Sequence, residues 1–290
     1  MSTPTVPYVA TVKVLREIVR GWRATGEGLA LVPTMGALHS GHLELVRLAR
    51  RHASRVVVSI FVNPAQFAPH EDLDRYPRTF DGDLAALTTV GCDLVWAPNV
   101  AEMYPPGHAT KVVPAGAAEG LESDFRPHFF TGVATVCTKL FTQVAPDFAI
   151  YGEKDFQQLA VMRQLVRDLD LPLAIVGAPT VREPDGLAMS SRNRYLDTSE
   201  RSLAPALHRE LQDLAARIAR MGASLTREQA EAMAAETAGA LLAAGFARID
   251  YIAVRDASTL APLFPDASRP RRILAAVWLG KTRLIDNIPA

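Results

Sequence analysis

With 290 residues the chain is long enough for one large or two ordinary domains, and an apolar share of 49% supplies a well-filled core. Its 31 basic and 31 acidic residues cancel, which removes the global field of a nucleic-acid or anionic-membrane binder. Cys92 and Cys137 are too few for a disulfide framework or a metal cluster, no apolar run is long enough for a membrane span, and the amino terminus lacks a basic segment followed by an apolar one, so a soluble cytoplasmic protein with neither nucleic-acid nor membrane partners is expected.

Residues 12–22 read as a short amphipathic helix, followed by a Thr25-Gly-Glu-Gly turn. The apolar run 29–32 is a buried strand, and Pro33, which has no N–H to donate, is expected to end it. Thr34-Met35-Gly36-Ala37 makes a tight turn, and a helix then carries Leu43, Val46 and Arg50 at helical spacing. Strand, glycine-bearing turn and helix start is the arrangement that aims backbone N–H groups and a helix dipole at a phosphate. Residues 55–62 form a second strand, β-branched and almost wholly apolar, of the kind covered on both faces in a parallel sheet. A helix over 81–90 and a strand over 92–97 follow, then a poorly periodic connection over 98–120 with one short strand near Val112.

A helix at 132–144, a strand at 148–151, a helix with Phe156, Leu159, Met162, Val166 and Leu169 on one face, and a strand at 173–176 continue the alternation. This pattern defines a Rossmann-like doubly wound parallel sheet over residues 1–180. After Pro179 the character changes. Long alanine-rich helices are expected over 199–221, with an apolar face of Leu203, Leu207, Leu211, Leu214 and Ile218, and over 226–244, opened by a Thr226–Gln229 capping box and ended by Gly245. Strands at 249–254, 273–279 and 282–285 then make residues 181–290 a smaller α+β domain, read as a lid.

Four groups carry candidate chemistry. His39 and His42 stand at the first helix start. They are three apart, which could be a metal pair, but no third ligand is evident and the spacing matches no zinc signature. Asn63-Pro-Ala-Gln66-Phe67 lies at a strand's carboxyl end and offers two side-chain amides, although Asn-Pro is also a common turn opener. In Tyr151-Gly-Glu-Lys-Asp155, Lys154 can neutralise charge on a transferring phosphate. Asp155 equally suits a helix cap, and Gln158 faces the same side of that helix start. Finally, Met189-Ser190-Ser191-Arg192 puts two hydroxyls and a guanidinium in one loop, donors suited to a triphosphate.

The His-x-Gly-His at residues 39–42 resembles the signature of the nucleotidyltransferase superfamily. Together with Phe61-Val-Asn-Pro-Ala-Gln66-Phe67, Tyr76-Pro-Arg-Thr79, Gly152-Glu-Lys-Asp-Phe-Gln-Gln158 and Asp185-Gly-Leu-Ala-Met-Ser-Ser-Arg-Asn-Arg-Tyr-Leu196, it resembles the pantoate–β-alanine ligase family, in that family's order and over nearly the whole chain. The resemblance implies ATP-dependent condensation of pantoate with β-alanine through pantoyl adenylate, with release of AMP and pyrophosphate, and a homodimer. It implies an ATP site of Met35, Gly36, Ala37, Leu38, His39, Ser40, Gly41, His42, Gly152, Glu153, Lys154, Asp155, Val181, Met189, Ser190, Ser191 and Arg192. Within it His42, Lys154 and Arg192 act on the phosphates. Gln66, Gln158 and Asn63 hold the pantoate side, and Mg²⁺ bridges phosphate oxygens with Asp83 on the metal side. The chain departs from relatives at Gly82, where an acidic residue is often found, and at His128, one position early in its Arg-Pro-His-Phe segment.

Two other nucleotide-handling readings and a nucleic-acid reading compete. An adenylyltransferase acting on a phosphate would need a basic acceptor pocket, whereas this chain offers glutamines. A nucleotide sensor without turnover would need fewer of the three cations. Nucleic-acid binding through Arg50-Arg51 or the Arg269, Arg271 and Arg272 cluster is disfavoured by the neutral net charge.

Overall fold

The computed structural model describes residues 5–68, 71, 73–262 and 269–290. In order, the chain forms β1 (Tyr8–Val9), α1 (Val12–Ala24), β2 (Leu29–Thr34), α2 (Ser40–His52), β3 (Arg55–Ile60), α3 (Phe80–Thr88), β4 (Leu94–Trp96), α4 (Val100–Met103), α5 (Glu122–Phe125), α6 (Phe129–Val144), β5 (Phe148–Gly152), α7 (Phe156–Asp168) and β6 (Ala174–Ala178). Three helices follow, α8 (Thr198–Leu203), α9 (Ala206–Met221) and α10 (Arg227–Ala244), and then three strands, β7 (Arg248–Asp256), β8 (Arg271–Leu279) and β9 (Thr282–Pro289). Two compact units result. The first gathers Met1–Ala115, Arg126–Glu153 and Val161–Pro179, and the second gathers Gly116–Phe125, Lys154–Ala160 and Thr180–Ala290. Neither short excursion into the second unit carries a composition change that would mark it in the sequence.

The first unit is a six-stranded sheet in the order β1-β4-β3-β2-β5-β6, with every pair parallel. Strands so placed are covered on both faces and read as nearly continuous apolar runs. Leu29, Ala30, Leu31, Val32, Val56, Val57 and Val58 accordingly have no accessible surface. From β2 the order runs outward through β3 and β4 on one side and through β5 and β6 on the other. The reversal between β2 and β5 is a switch point, where open α/β sheets place their ligands beyond the strands' carboxyl ends.

Several elements depart from the sequence reading. β2 runs through Pro33 to Thr34, because pairing with β5 is limited to Ala30 and Leu31 while pairing with β3 continues to Thr34 and Ile60. A proline where one neighbour has already diverged costs the sheet little. No strand forms at Val112 among the described residues; its N–H donates to Thr135 Oγ1 on α6 at 3.0 Å, and the 98–120 connection instead carries α4. The helix expected over 199–221 is two helices, α8 and α9, parted at Ala204-Pro205, since Pro205 lacks the N–H that a continuing helix uses and its ring crowds the preceding turn.

In the second unit β7, β8 and β9 form an antiparallel sheet. Leu207, Leu211, Leu214 and Ile218 of α9 are buried in one cluster with Ala230, Ala234 and Leu241 of α10 and with Ile273, Ala275 and Val277 of β8. The capping box of α10 is formed, Thr226 N–H to Gln229 Oε1 at 2.9 Å and Gln229 N–H to Thr226 Oγ1 at 3.2 Å. Gly245 ends that helix at φ +113°, a conformation that side chains disfavour.

A charged network locks this sheet to α5. Arg283 donates through Nε to Asp250 Oδ2 at 2.7 Å and through Nη1 to Glu122 Oε2 at 2.8 Å, and Tyr251 Oη–H donates to Glu122 Oε1 at 2.8 Å. Removing one member of a buried pair strands its partners. Arg283→Met, which keeps most of the volume but leaves two buried carboxylates, is expected to destabilise the protein by about 3–5 kcal/mol in urea unfolding.

Candidate active site

The loop after β2 is built around a carboxylate from α3. Asp83, 3% exposed, accepts the N–H of Ala37 on Oδ2 at 3.0 Å and the N–H of Leu38 on Oδ1 at 2.9 Å, with the Thr79 hydroxyl also on Oδ1 at 3.0 Å. Gly36 (φ +82°) and Ala37 (φ +51°) both adopt left-handed backbone to present these groups. At Gly36 a Cβ would lie 3.0 Å from Asp83 Oδ2 and 3.1 Å from Ile60 Cγ2, so the position leaves almost no room for a side chain. The Gly36 N–H donates to Thr34 Oγ1 at 3.2 Å, and the Thr34 hydroxyl donates to Ser59 O at 2.6 Å. The N–H groups of residues 36, 37 and 38, read from the sequence as aimed at a phosphate, are thus engaged within the protein. The amino end of α2 and the side chains that stand on it are what this loop presents at the head of a helix dipole.

Those side chains are His39, the residue before α2, and His42 in its first turn. Their rings lie 4.0 Å apart between centroids, tilted by 38°. The His39 N–H donates to His42 Nδ1 at 3.4 Å, so Nδ1 is an acceptor and the proton of the neutral ring sits on Nε2. His42 is thereby set as an Nε2–H donor at the positive end of a helix dipole.

Asn63 and Gln66 follow β3 on a short 3-10 turn, Pro64–Gln66. Asn63 is 1% exposed, and all its hydrogen-bonding capacity is spent inside the protein. Oδ1 accepts the Ala65 N–H (3.2 Å) and the Tyr104 hydroxyl (2.8 Å), while Nδ2 donates to Gln66 Oε1 (3.0 Å) and Gly132 O (3.2 Å). Asn63, expected to touch substrate, stands behind Gln66 and orients it. With Oε1 engaged by Asn63, the Gln66 amide offers N–H, and its Nε2 already lies 3.1 Å from Met35 Sδ. Arg126 steadies the same loop, donating to Gln66 O at 3.3 Å while paired with Glu71 at 2.7 Å. His128, the residue before α6, leads into that helix without a side-chain capping bond. Tyr104 and Gly132 were not singled out from the sequence. Gly132 had a legible signal, a glycine at the start of the helical stretch 132–144. A Cβ on it would sit 2.2 Å from Ala65 O and 2.7 Å from Gln66 N, so only glycine lets α6 approach this loop. Gly152 closes β5 opposite Ala178, and Glu153 begins the 3-10 turn Glu153–Asp155.

In the second unit, Lys154 Nζ lies 3.8 Å from Asp155 Oδ2, and the Lys154 carbonyl accepts the Asn287 amide at 2.8 Å. Gln157 is buried. It donates to Ala117 O (3.1 Å) and Gly120 O (3.2 Å) and accepts the Glu122 N–H (3.1 Å), which fastens the 116–122 segment. Gln158 is half-buried and forms no hydrogen bond among the described residues, so its amide is available to a ligand. Val181 opens a hairpin: Arg182 bridges Ala188, and the Met189 N–H returns to Val181 O at 3.0 Å. Ser190 then caps the turn Ser191–Tyr195, its Oγ accepting the Arg192 N–H at 3.2 Å.

The fit of a protein-held metal can be tested on these contacts. Asp83, assigned a metal-side role from the sequence, has both oxygens engaged by three donors, and no group of three or more His, Cys, Asp or Glu residues among the described residues could hold an ion. These residues form no cage for Mg²⁺.

A parallel sheet with a helix-start histidine pair and neutral amides at its switch point defines an α/β nucleotide-dependent enzyme. The model of the pantoate-beta-alanine ligase family matches residues 7–289. A pantothenate synthetase of Caulobacter vibrioides is 53% identical over 290 residues, covering 99% of both chains. The crystal structure of pantothenate synthetase from Thermus thermophilus superposes with a TM-score of 0.84 at 45% identity, covering 98% of this chain and 99% of that one. The pantoate-beta-alanine ligase of Francisella tularensis, complexed with beta-gamma ATP and beta-alanine, superposes with a TM-score of 0.79 at 31% identity, covering 98% and 97%. The chain belongs to the pantoate-beta-alanine ligase family.

Two substitutions test how the first unit's loops are held. Asp83→Asn replaces an acceptor with an NH₂ group facing an N–H or hydroxyl donor. It is expected to cost about 1–3 kcal/mol in urea unfolding, with ATP affinity falling in calorimetric titration. Gly132→Ala must push the Gln66 loop by roughly 1 Å, so the KM for pantoate is expected to rise about 10-fold or more, with that for ATP changing far less.

Proposed function

We propose that this ligase works by two half-reactions at one nucleotide site, with His42 as the principal donor to the reacting phosphate. A pantoate carboxylate oxygen attacks the α-phosphorus of ATP, the bond to the bridging oxygen of the β-phosphate breaks, and pyrophosphate leaves. The amine of β-alanine then attacks the acyl carbon of pantoyl adenylate, loses a proton, and expels AMP as the amide forms.

The observation that carries this reading is the His39 N–H bond to His42 Nδ1, which fixes Nε2–H as a donor at the amino end of α2. Charge that develops on a phosphoryl oxygen is stabilised most by donors already in position. Lys154 and Arg192 add positive charge for the same triphosphate. Gln66 contributes its amide N–H to pantoate, and Gln158 a second neutral amide, which suits an acid whose carboxylate must stay nucleophilic and not be held in an ion pair. Mg²⁺ enters as the companion of ATP, on phosphate oxygens. A homodimer in the cytoplasm completes the reading, on the strength of family membership.

Pyrophosphate exchange is the direct test. With pantoate, ATP and Mg²⁺ but no β-alanine, labelled pyrophosphate is expected to enter ATP, and omission of pantoate is expected to abolish that exchange. β-Alanine should then release AMP in equal amount to the amide. Release of ADP and phosphate would mean an acyl phosphate route and overturn the reading.

A further inference from the structure

Asp286 and Asn287 lie side by side on β9, the edge strand of the second unit's sheet, both 3% exposed. Side chains of adjacent strand residues leave opposite faces. One strand position therefore reaches two different segments.

Asn287 holds the segment around Lys154. Its Nδ2 donates to the Lys154 carbonyl at 2.8 Å, and its Oδ1 accepts Arg272 Nε at 2.7 Å. The Arg272 guanidinium in turn lies over the ring of Phe156, 4.1 Å from its centroid. Lys154 and Phe156, one residue either side of Asp155, are thus both fastened to this point of the sheet. Asp286 holds the 181–192 loop. Arg182 forks onto it, Nη1 to Oδ2 at 2.7 Å and Nη2 to Oδ1 at 2.8 Å, and Nη1 also donates to Gly186 O at 3.0 Å, closing the turn of the hairpin. The two anchors also satisfy the strand's own backbone, for Asp286 Oδ1 accepts the Asn287 N–H at 2.7 Å and Arg182 Nη2 donates to Asn287 O at 3.4 Å. Burial works to raise the pKa of Asp286, but the His208 ring, with Nδ1 3.5 Å from Oδ2, and the hydrogen-bonded Arg182 guanidinium hold it below the ordinary carboxylate value, so it stays charged and keeps its grip.

We propose that Asp286 and Asn287 are positioning residues that set Lys154 in register with the 181–192 loop, so that the lysine and Arg192 are presented to the triphosphate as one preformed pair. This rests on the roles given above to Lys154 and Arg192. A scaffold that fixes reacting groups before substrate arrives removes a cost otherwise met in the transition state.

The test is pantoate-dependent pyrophosphate exchange by the full chain. Asn287→Asp keeps the acceptor for Arg272 but loses the donor to Lys154 and sets a negative charge against its carbonyl. The exchange rate is expected to fall about 10- to 100-fold, with the KM for pantoate within about twofold, on the scale of a small misplacement of a catalytic group. Asn287→Ala, which removes both bonds without adding charge, is expected to fall similarly and stands in if the charged variant fails to fold. The deciding readout is a double-mutant cycle with Lys154→Ala, following pantoyl adenylate from labelled ATP. If Asn287 acts through Lys154, its replacement should cost no more than about twofold in the Lys154→Ala background. Full additivity there, or a wild-type rate in both single variants, would overturn the proposal. Absence of exchange in the wild-type enzyme would overturn the adenylate reading instead.

Discussion

The buried carboxylate of Asp83 is the constraint on which the loop after β2 depends. Burying a lone carboxylate costs several kcal/mol in effective terms, and here three donors from two segments offset it, the N–H groups of Ala37 and Leu38 and the Thr79 hydroxyl. α3 is thereby tied to the turn that delivers α2. The left-handed backbone at Gly36 and Ala37 follows from that demand, and so does the placement of His39 and His42 at the head of α2. Without this clamp, two left-handed residues in succession would have little to hold them.

A second tier of support lies behind Gln66. Asn63 spends four hydrogen bonds on its neighbours, and Tyr104, Gly132 and Arg126 fix the same short turn from three other points along the chain. Burial pushes the Tyr104 hydroxyl well above its ordinary pKa, so it remains a donor to Asn63 across the working range. The polarity runs one way, from tyrosine to asparagine to glutamine, and it leaves Gln66 with N–H to offer on the side of Met35 Sδ. An amide whose orientation is set in this manner discriminates between acceptor and donor groups on a ligand.

The alternation of the first unit was legible because both faces of its strands are covered, so 29–32 and 56–58 carry unbroken apolar runs. The capping box at Thr226 and the leucine face of α9 were legible because each is a local pattern within a few turns of helix. What escaped depended on distant partners. Pro33 extends β2 because β5 has already diverged, which nothing near Pro33 records. Pro205 was the exception, a local breaker inside an alanine-rich run whose propensity masked it. Among candidate site residues, the family motifs drew attention to His42, Gln66 and Lys154, but the hydrogen bonds by which Asn63 orients Gln66 left no mark in the sequence. Asp83 was noticed for its charge and given a metal, while its partners at residues 37 and 38 lie far off in sequence. Asp286 and Asn287 look like ordinary strand residues until their partners near 154 and 182 are known.

The order of the sheet has a consequence for how the protein comes into being. Pairing of β2 with β3 closes a loop of moderate length, whereas β2 meets β5 only when Ala30 finds Phe148 and Leu31 finds Ala149. Contacts so far apart along the chain carry the larger loop-closure entropy and tend to form late. The crevice at the switch point therefore belongs to the last stage of assembly. A chain emerging from the ribosome can form the β2–α2–β3 unit, with its histidines, well before it owns a second wall. Competence to bind nucleotide is in this sense a report that the most distant pairing of the sheet has been made.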